Sequence, residues 1–430
     1  MDSRPGQYAC SQSGSCALAG AAAFFAGIPG AVVVINGQLW CYFYAKRHTE
    51  RQSTVAGEQI LCSQVDGTAI IYGTEEQLMK TLLHVKTSLK PELVAIINSC
   101  AVSLIGDDTA GIASQAALGC PVVCVDSSGL SGGFAAGYRE AAKAYFNHIP
   151  MLAPEEIKRH TINLIGGTVG YYNAAADFDE LHRMLTLGGC KLIAAPGAGS
   201  SVEAIAGLRQ AELNVVLHHE LGEQLAQELY KLYGIPYVTL LPPFGLQGTL
   251  AWSEAIIGAL ASKPASWQLL QQEISGLESE IHRTLLDIQR LWGNMWFDQI
   301  VVAAPESIAL AVAKAVRYEL ADTRRLAVIV QGNSSWQTPI AGIETLISSN
   351  STCQVQAELA CLQGGLLLGS SNETASVQQL GIKKMVRQNI ALPVLDEVII
   401  TPSPLMGITG MRCLTERLWN KYIRLQELLD

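Results

Sequence analysis

The chain is poor in charge. Asp, Glu, Lys and Arg make up 16% of its 430 residues, against 49% hydrophobic, whereas soluble globular proteins usually carry about a quarter charged residues. So little charge with so much apolar surface excludes a disordered chain and suits a well-buried protein with large subunit interfaces. A basic excess is also lacking, the net charge being −9. With no basic face to neutralise phosphates, a nucleic-acid partner is not expected. No C-x-x-C pair occurs among the eleven cysteines, which argues against a zinc ribbon or thioredoxin-like motif. Those cysteines are too scattered, over too long a chain, for a secreted disulfide scaffold, so a reducing cytoplasm is expected. No G-x-x-x-x-G-K-[ST] loop is present, and any ATP hydrolysis must belong to another chain.

An unbroken membrane span is missing as well. Cys16 to Ile35 is nearly all apolar and of spanning length. Gly27-Ile28-Pro29-Gly30 interrupts it, and proline and glycine break helices. The pattern predicts a small-residue helix over Ala17–Ala26 and a buried β-branched strand over Ala31–Ile35. Asp2 and a lone Arg4 make a poor signal-peptide n-region, so neither a membrane nor a secretory role is expected.

What the chain does have is a rhythm. β-Branched runs stand at Leu93–Asn98, Pro121–Val125, Ile162–Ile165, Lys191–Ala194, Leu213–Leu217, Ile300–Ala303, Leu326–Val330 and Gly364–Leu368. Helix-period segments alternate with them: Glu75–Ser88, Phe134–His148, Ala174–Thr186, Gly222–Tyr233, Glu306–Leu320 and Gly407–Leu429. Such alternation predicts βαβ units and parallel sheets. The expected fold is α/β, with three doubly wound domains, each a central parallel sheet flanked by helices. A proline-bearing polar linker near residues 148–160 and a long polar helical stretch over Pro264–Trp292 set the expected boundaries at 1–155, 156–298 and 299–430.

Three cysteines stand where chemistry gathers in such folds. Cys16 opens a helix, Cys41 follows the Ala31–Ile35 strand and its Asn36-Gly37-Gln38 turn, and Cys100 follows Leu93–Asn98. Helix N-termini favour thiolates. Three thiols converging on one domain edge, with a fourth ligand from a partner chain, would suit an iron–sulfur cluster at a subunit interface. Three ordinary buried thiols are the alternative, because free cysteine behaves as a small hydrophobe.

Steps of 25 and 59 residues separate Cys16, Cys41 and Cys100, and Ala9-Cys10, Cys16-Ala17-Leu18 and Gly37-Gln38-Leu39-Trp40-Cys41-Tyr42-Phe43 resemble the N-terminal cluster segment of the nitrogenase component 1 family. Asn98-Ser99-Cys100 through Gly106-Asp107-Asp108 is similar to the family's third-ligand motif, and Pro121 through Gly129 to the next strand and loop. Ile162–Gly166, Leu213–Leu217, Tyr233–Pro236, Gly369–Glu373 and Pro404–Gly410 continue the resemblance in order. The resemblance implies a [4Fe-4S] or larger, P-cluster-like iron–sulfur cluster on Cys16, Cys41 and Cys100, with Ser128 beside it. It implies a homologous or identical component 1 subunit as partner, in a dimer or α2β2 assembly. It further implies an ATP-dependent iron protein that delivers electrons, and a substrate or cofactor in an interdomain cavity bordered by Pro196–Ser201, His218 and Gly369–Asn372. A second metallocofactor or a tetrapyrrole substrate remains open there.

Two departures matter. His218 stands in the slot where the nitrogenase α subunit holds its large cofactor by cysteine, and Met406 in the slot of its histidine. A thioether is a weak, soft ligand, so a molybdenum nitrogenase α subunit is not expected. The expected function is a nitrogenase-like oxidoreductase subunit, with His218 in the cavity chemistry. The alternatives are a scaffold for maturing a complex metal cluster and a tetrapyrrole reductase subunit. Pro243 through Trp252 resembles the tetrapyrrole branch, and Ile105–Asp108 the nitrogenase branch. A binding-protein-like sensor would share the layered domains and has no need of the three cysteines.

Weaker signals have two readings each. His218 and His219 could ligate metal or donate protons, or belong to a polar, capping loop. At most one of them is expected to face a cavity, since neighbours on an extended strand point to opposite sides. Asp107-Asp108 could be a metal pair or a helix N-terminus. Gly197-Ala198-Gly199 reads as a tight βα turn and not as a dinucleotide loop, since Val202 replaces the third glycine. Cys62 could join the cluster segment from a loop. Cys353, Cys361 and Cys413 are expected to be buried, and Leu414, Leu418 and Tyr422 to form the apolar face of a packing helix.

Overall fold

The computed structural model describes residues 15–50, 59–332, 342–401 and 403–427. Ala9-Cys10 and the last two residues of the expected Gly407–Leu429 helix lie outside them. The chain is α/β, built on three sheets whose registered strand pairs are all parallel. The first holds β1 (Ala31–Asn36), β2 (Ile60–Cys62), β3 (Leu93–Asn98) and β4 (Val122–Val125), in the order β2-β1-β3-β4. The second holds β5 (Lys158–Ile165), β6 (Lys191–Ala194), β7 (Ala211–Val216) and β8 (Tyr237–Thr239), in the order β6-β5-β7-β8. The third holds β9 (Trp296–Ala304), β10 (Asp322–Val330), β11 (Thr345–Ser348), β12 (Leu366–Gly369) and β13 (Val386–Asn389), ordered β11-β10-β9-β12-β13. Each order reverses beside its first strand, as in doubly wound sheets. By compactness the chain forms two units, Met1–Gly170 with Ile193–Val216 and Leu221–Tyr237, and Tyr171–Leu192 with Leu217–Glu220 and Val238–Asp430.

Burial explains the sequence pattern. β1 and β3 are buried along their whole length, so they read as continuous apolar runs and not as alternating ones. Against this sheet, Leu78, Leu82 and Val85 of the Glu75–Ser88 helix form a core with Val32, Val34, Val94 and Ile96. The Ala17–Ala26 helix is buried at every residue, and its small side chains let it approach the Phe134–His148 helix closely. A Cβ on Gly20 would lie 1.9 Å from the Phe134 carbonyl oxygen, and one on Gly137 only 1.7 Å from that of Ala17. Phe24 meets Tyr138 and Tyr145 edge-on, a favoured aromatic geometry. In the second unit the C-terminal Gly407–Glu427 helix buries Leu414, Leu418 and Tyr422, as the helical spacing predicts.

Several boundaries move. The helix expected from Gly222 begins at His219, and the one expected over Glu306–Leu320 widens into a π-helical turn at Val316–Leu320. The Leu39–Glu50 helix is unannounced in the sequence, because its aromatic residues give no clean apolar stripe. Three expectations of burial fail. Cys353 and Cys361 are exposed, and Cys413 is half-buried. The Thr352–Ala360 helix turns its buried side, Glu358 and Leu359, inward and carries Cys353 on the other face. No described helix is long and apolar enough to cross a membrane.

Substituting Gly137→Ala should therefore cost stability at or above the usual ~1–3 kcal/mol of overpacking, because the clash is with backbone. Gly276→Ala, with nothing within 4 Å of its Cβ position, should instead stabilise by roughly 0.5–1 kcal/mol. Denaturant titration followed by circular dichroism measures both, and equal effects would refute the packing account.

Candidate thiol site and buried histidine network

A parallel sheet delivers its strand ends to one edge, and the first sheet delivers thiols there. Asn36 of β1 lies opposite Asn98 of β3, and their side chains are hydrogen-bonded at 3.2 Å. Past Asn36 the chain turns through Gly37-Gln38 into the Leu39–Glu50 helix, with Cys41 in its first turn. Past Asn98 it turns through Ser99, the N-cap of the Cys100–Ile105 helix, to Cys100. These two turns touch: a Cβ on Gly37 would lie 2.5 Å from the Ser99 Cβ, so only glycine fits. Cys16 arrives from elsewhere. It is the N-cap of the Ala17–Ala26 helix and bridges Gly133, with Ala17 N–H donating to the Gly132 carbonyl at 3.0 Å. Ser15 reaches His48 of the Cys41 helix, Oγ to Nδ1 at 3.2 Å. Burial holds His48 down at about 4, hence neutral.

Cys16 and Cys100 both lie within electrostatic reach of Cys41. Burial, foremost, and then the charges of Cys16, Cys100 and Cys62 push the Cys41 thiol up to about 11. Among the described residues no three His, Cys, Asp or Glu side chains gather tightly enough to chelate one metal ion. An iron–sulfur cluster asks for less, because it takes one cysteine thiolate per iron and its ligands stand apart. The donor set fits such a group. It is soft sulfur, placed at helix N-termini, and carries mutual repulsion that bound cations relieve. A backbone donor is already aimed at one sulfur, Gly129 N–H to Cys100 Sγ at 3.1 Å. Two buried hydroxyls nearby in sequence, Ser99 Oγ and Ser127 Oγ, have no hydrogen-bond partner.

The other expectations sort themselves out. Ser128 is buried at this edge, next to the Gly129 donor, with its Oγ 3.4 Å from that of Ser131. Asp107 and Asp108 are structural. Asp107 accepts from Thr74 N–H at 2.6 Å and from the Thr74 hydroxyl at 2.8 Å, while Asp108 caps the Thr109–Ala116 helix by accepting from Gly111 N–H. The Pro196–Gly199 turn is tight, with Gly199 N–H donating to the Gly27 carbonyl at 2.7 Å. Around the thiol edge several large apolar side chains are exposed: Trp40 at 69%, Tyr44 at 66%, Leu104 at 76% and Leu130 at 68%.

In the second unit, His218 and His219 are both buried, so neither stands in an exposed polar loop. His219 Nε2 meets Glu306 Oε2 at 3.1 Å. His218 Nδ1 meets Ser307 Oγ at 2.8 Å, and Ser307 Oγ donates to Glu220 Oε1 at 2.9 Å. Tyr171 donates to the same carboxylate oxygen at 3.1 Å and packs edge-on against the His218 ring. The hydroxyl has one proton, and with that proton given to Glu220 its oxygen accepts from His218. This network assigns the proton to Nδ1 and leaves a lone pair on Nε2. Burial, assisted by His219, lowers the His218 pKa to about 3, so the ring is neutral. Sequence reasoning found His218 and missed Ser307 and Glu220, which are remote in sequence or unremarkable in type.

A second missed group holds the segment that carries Met406. Asp177 Oδ1 accepts from Leu405 N–H at 2.6 Å and Met406 N–H at 2.9 Å, and Glu180 Oε1 from Thr409 N–H at 2.9 Å. Burial raises Asp177 to about 7 against the pull of these donors. A signal existed: Asp177 falls on the stripe of Leu181, Met184 and Leu185, where a carboxylate is out of place unless something pairs with it.

Comparison with known proteins agrees with this architecture. The sequence model of the family described as nitrogenase component 1 type oxidoreductase matches residues 16–423. The nitrogenase iron-molybdenum cofactor biosynthesis protein NifE of Methanococcus maripaludis is 28% identical over 285 residues, 64% of this chain and 58% of that protein. One subunit of the light-independent protochlorophyllide reductase of Synechococcus sp. (strain CC9311) is 26% identical over 364 residues, 79% of this chain and 66% of its own length. The chain thus spans less than two thirds of these relatives. Among solved structures, nitrogenase Cp1 at pH 6.5 superposes with a TM-score of 0.77 at 17% identity, over 99% of this chain and 95% of that one, a likeness of fold.

The raised Cys41 pKa carries a sign. Folding favours the protonated thiol, so its contribution to the metal-free protein is complete below the ordinary value of 9.0 and is lost as pH climbs to about 11. A thiolate is what binds metal, and binding must expel the proton. Cadmium titration of metal-free protein, read by thiolate absorption, should tighten steadily from pH 6 to 9, and thermal melts should weaken above pH 9. Cadmium binding that does not vary with pH would contradict the thiol assignment.

Proposed function

The chain belongs to the nitrogenase component 1 type oxidoreductase family, and from that premise we propose that it is the cluster-bearing subunit of a nitrogenase-like reductase. The observation that supports this reading is that the turns carrying Cys41 and Cys100 touch at Gly37 and Ser99, with Cys16 and Cys100 both near enough to Cys41 to raise its pKa after burial. The bound iron–sulfur group would store and pass single electrons. These three cysteines would hold it, Gly129 N–H would steady the Cys100 sulfur, and Ser128 would stand beside it. The rim of Trp40, Tyr44, Leu104 and Leu130 suits a homologous or identical subunit, which would cover apolar surface of a kind monomers seldom expose in one patch. Electrons would come from an ATP-dependent iron protein, since this chain has no phosphate-binding loop. A reducing cytoplasm suits the many thiols. The three sheet-bearing stretches, 1–155, 156–298 and 299–430, would act as its domains.

His218 would serve the substrate. Its protonated Nδ1 is engaged by Ser307, so the neutral ring offers Nε2 as acceptor for a proton or an N–H donor. It could also bind a metal through that single nitrogen. Because histidine and methionine fill the two anchoring slots, a cofactor held by a cysteine–histidine pair, as in the molybdenum nitrogenase α subunit, is not part of this reading.

Two observations favour second readings. NifE, named for cofactor biosynthesis, is among the chain's relatives, which favours a scaffold that matures a metal cluster and passes it on. The match to the protochlorophyllide reductase covers more of this chain, which favours reduction of a tetrapyrrole. The readings separate by experiment. The protein is purified anaerobically, its iron and sulfide are counted, and it is mixed with a reduced iron protein and ATP. A reductase subunit keeps its iron through reduction and reoxidation, whereas a scaffold surrenders it to a metal-free acceptor.

Two substitutions sharpen the test. Cys100→Ala should remove most bound iron, while His218→Ala should keep it and lower turnover at least tenfold. If His218→Ala changes neither, the residue has no part in the chemistry. Trp40→Lys should convert the assembly to smaller species in light scattering. An unchanged oligomer would remove the Leu39–Glu50 helix from the interface.

A further inference from the structure

We propose that Cys62 is a fourth thiol of the same site, supplied by the same chain, so that the ligand set does not need a cysteine from the partner. The proposal rests on the reading of Cys16, Cys41 and Cys100 as cluster ligands and extends it. β2 ends at Cys62, which lies opposite Ile35 in the parallel register. That puts it at the same carboxyl edge, one residue short of the Asn36 turn. Its Sγ donates to the Gly37 carbonyl at 3.4 Å. Gly37 is also the residue pressed against Ser99, the residue before Cys100, and it lies four residues before Cys41. A single turn is therefore the common neighbour of Cys62 and of two expected ligands.

The Cys62 turn is held firmly. Ser63 Oγ donates to Asn36 Oδ1 at 2.9 Å and accepts from Gly37 N–H at 3.1 Å. Gln64 follows with φ at 58°, in the left-handed region that non-glycine residues rarely occupy. Its N–H donates to Cys62 Sγ at 3.3 Å. Cys100 has the same kind of partner in Gly129 N–H. Backbone N–H groups directed at sulfur stabilise thiolate ligands and tune iron–sulfur groups. Cys62 is half-buried, so it is neither a core thiol nor a free surface one. On binding iron the S–H bond breaks, the proton leaves to solvent and an S–Fe bond forms. The bond to the Gly37 carbonyl is given up and the one from Gln64 is kept.

A purely structural role predicts something different. Serine can also donate to Gly37 and accept from Gln64, so it would replace a structural cysteine, but its hydroxyl is a hard donor and a poor substitute for thiolate on iron. Wild type, Cys62→Ser, Cys62→Ala and Cys100→Ala are purified anaerobically as full-length assemblies and reconstituted with ferrous iron and sulfide. Iron and acid-labile sulfide per chain are measured, with the electron paramagnetic resonance spectrum of the dithionite-reduced protein. Circular dichroism and gel filtration check the fold, and Cys62→Ser carries the test if Cys62→Ala does not fold. Cys62→Ser and Cys62→Ala should each lose half or more of the bound iron or show a changed spectrum, and Cys100→Ala should lose nearly all. If both Cys62 variants keep wild-type iron and spectrum while Cys100→Ala loses iron, the proposal is overturned and the three-cysteine reading stands. If Cys100→Ala also keeps its iron, both fall.

Discussion

Parallel strand pairing is the constraint on which the rest depends. Every strand of a parallel sheet ends on the same edge, and each must then reverse through a connecting turn and helix. In the first sheet this brings the turns after β1 and β3 side by side, and Gly37 lets them touch. The thiols of Cys41 and Cys100 follow as a consequence of register. Cys16 is joined by a different device, close packing of two helices through Gly20 and Gly137. Backbone pairing thus does the positioning, and no flexible side chain has to search for its place.

The site so assembled is unfavourable in the absence of a ligand. Burial first, and then the neighbouring thiols, hold the Cys41 pKa up, and two buried serine hydroxyls stand without partners. Such frustration has to be offset elsewhere. The core of β1 and β3, buried at every residue, and the wholly buried Ala17–Ala26 helix supply the compensation through apolar burial. Functional sites often retain polar groups that packing alone would remove.

The second unit holds two networks in which buried polar groups are paired. His218, Ser307, Glu220 and Tyr171 form one hydrogen-bonded chain, and Asp177 gathers two backbone N–H groups ahead of the C-terminal helix. Each chain fixes orientation: the first sets which imidazole nitrogen is bare, and the second sets the course of the Leu405–Gly407 segment. A low-dielectric interior makes such pairings strong and their loss costly. The small share of charge in the sequence is consistent with this, since the charges that are buried are committed to partners.

Much of this was legible in the chain. Alternating β-branched runs and helical periods specify parallel α/β layers, because only buried parallel strands tolerate continuous apolar sequence. Helices such as Glu75–Ser88 and Phe134–His148 have the limits that their periodicity predicts. The residue types and spacing of Cys16, Cys41 and Cys100 raised the expectation of a thiol site, and His218 stood out beside its strand. Other features needed three dimensions. Cys62 is only a loop candidate for the cluster segment until β2 pairs with β1 and carries it to Gly37. Ser307 and Glu220 acquire a role only when chain segments far apart in sequence are packed together, and the exposure of Cys353 and Cys361 depends on which side of a short helix meets the sheet. Local periodicity determines elements because it acts over a few residues. Partners, burial and proton positions are decided by contacts between segments dozens of residues apart, and those exist only after the sheets have formed.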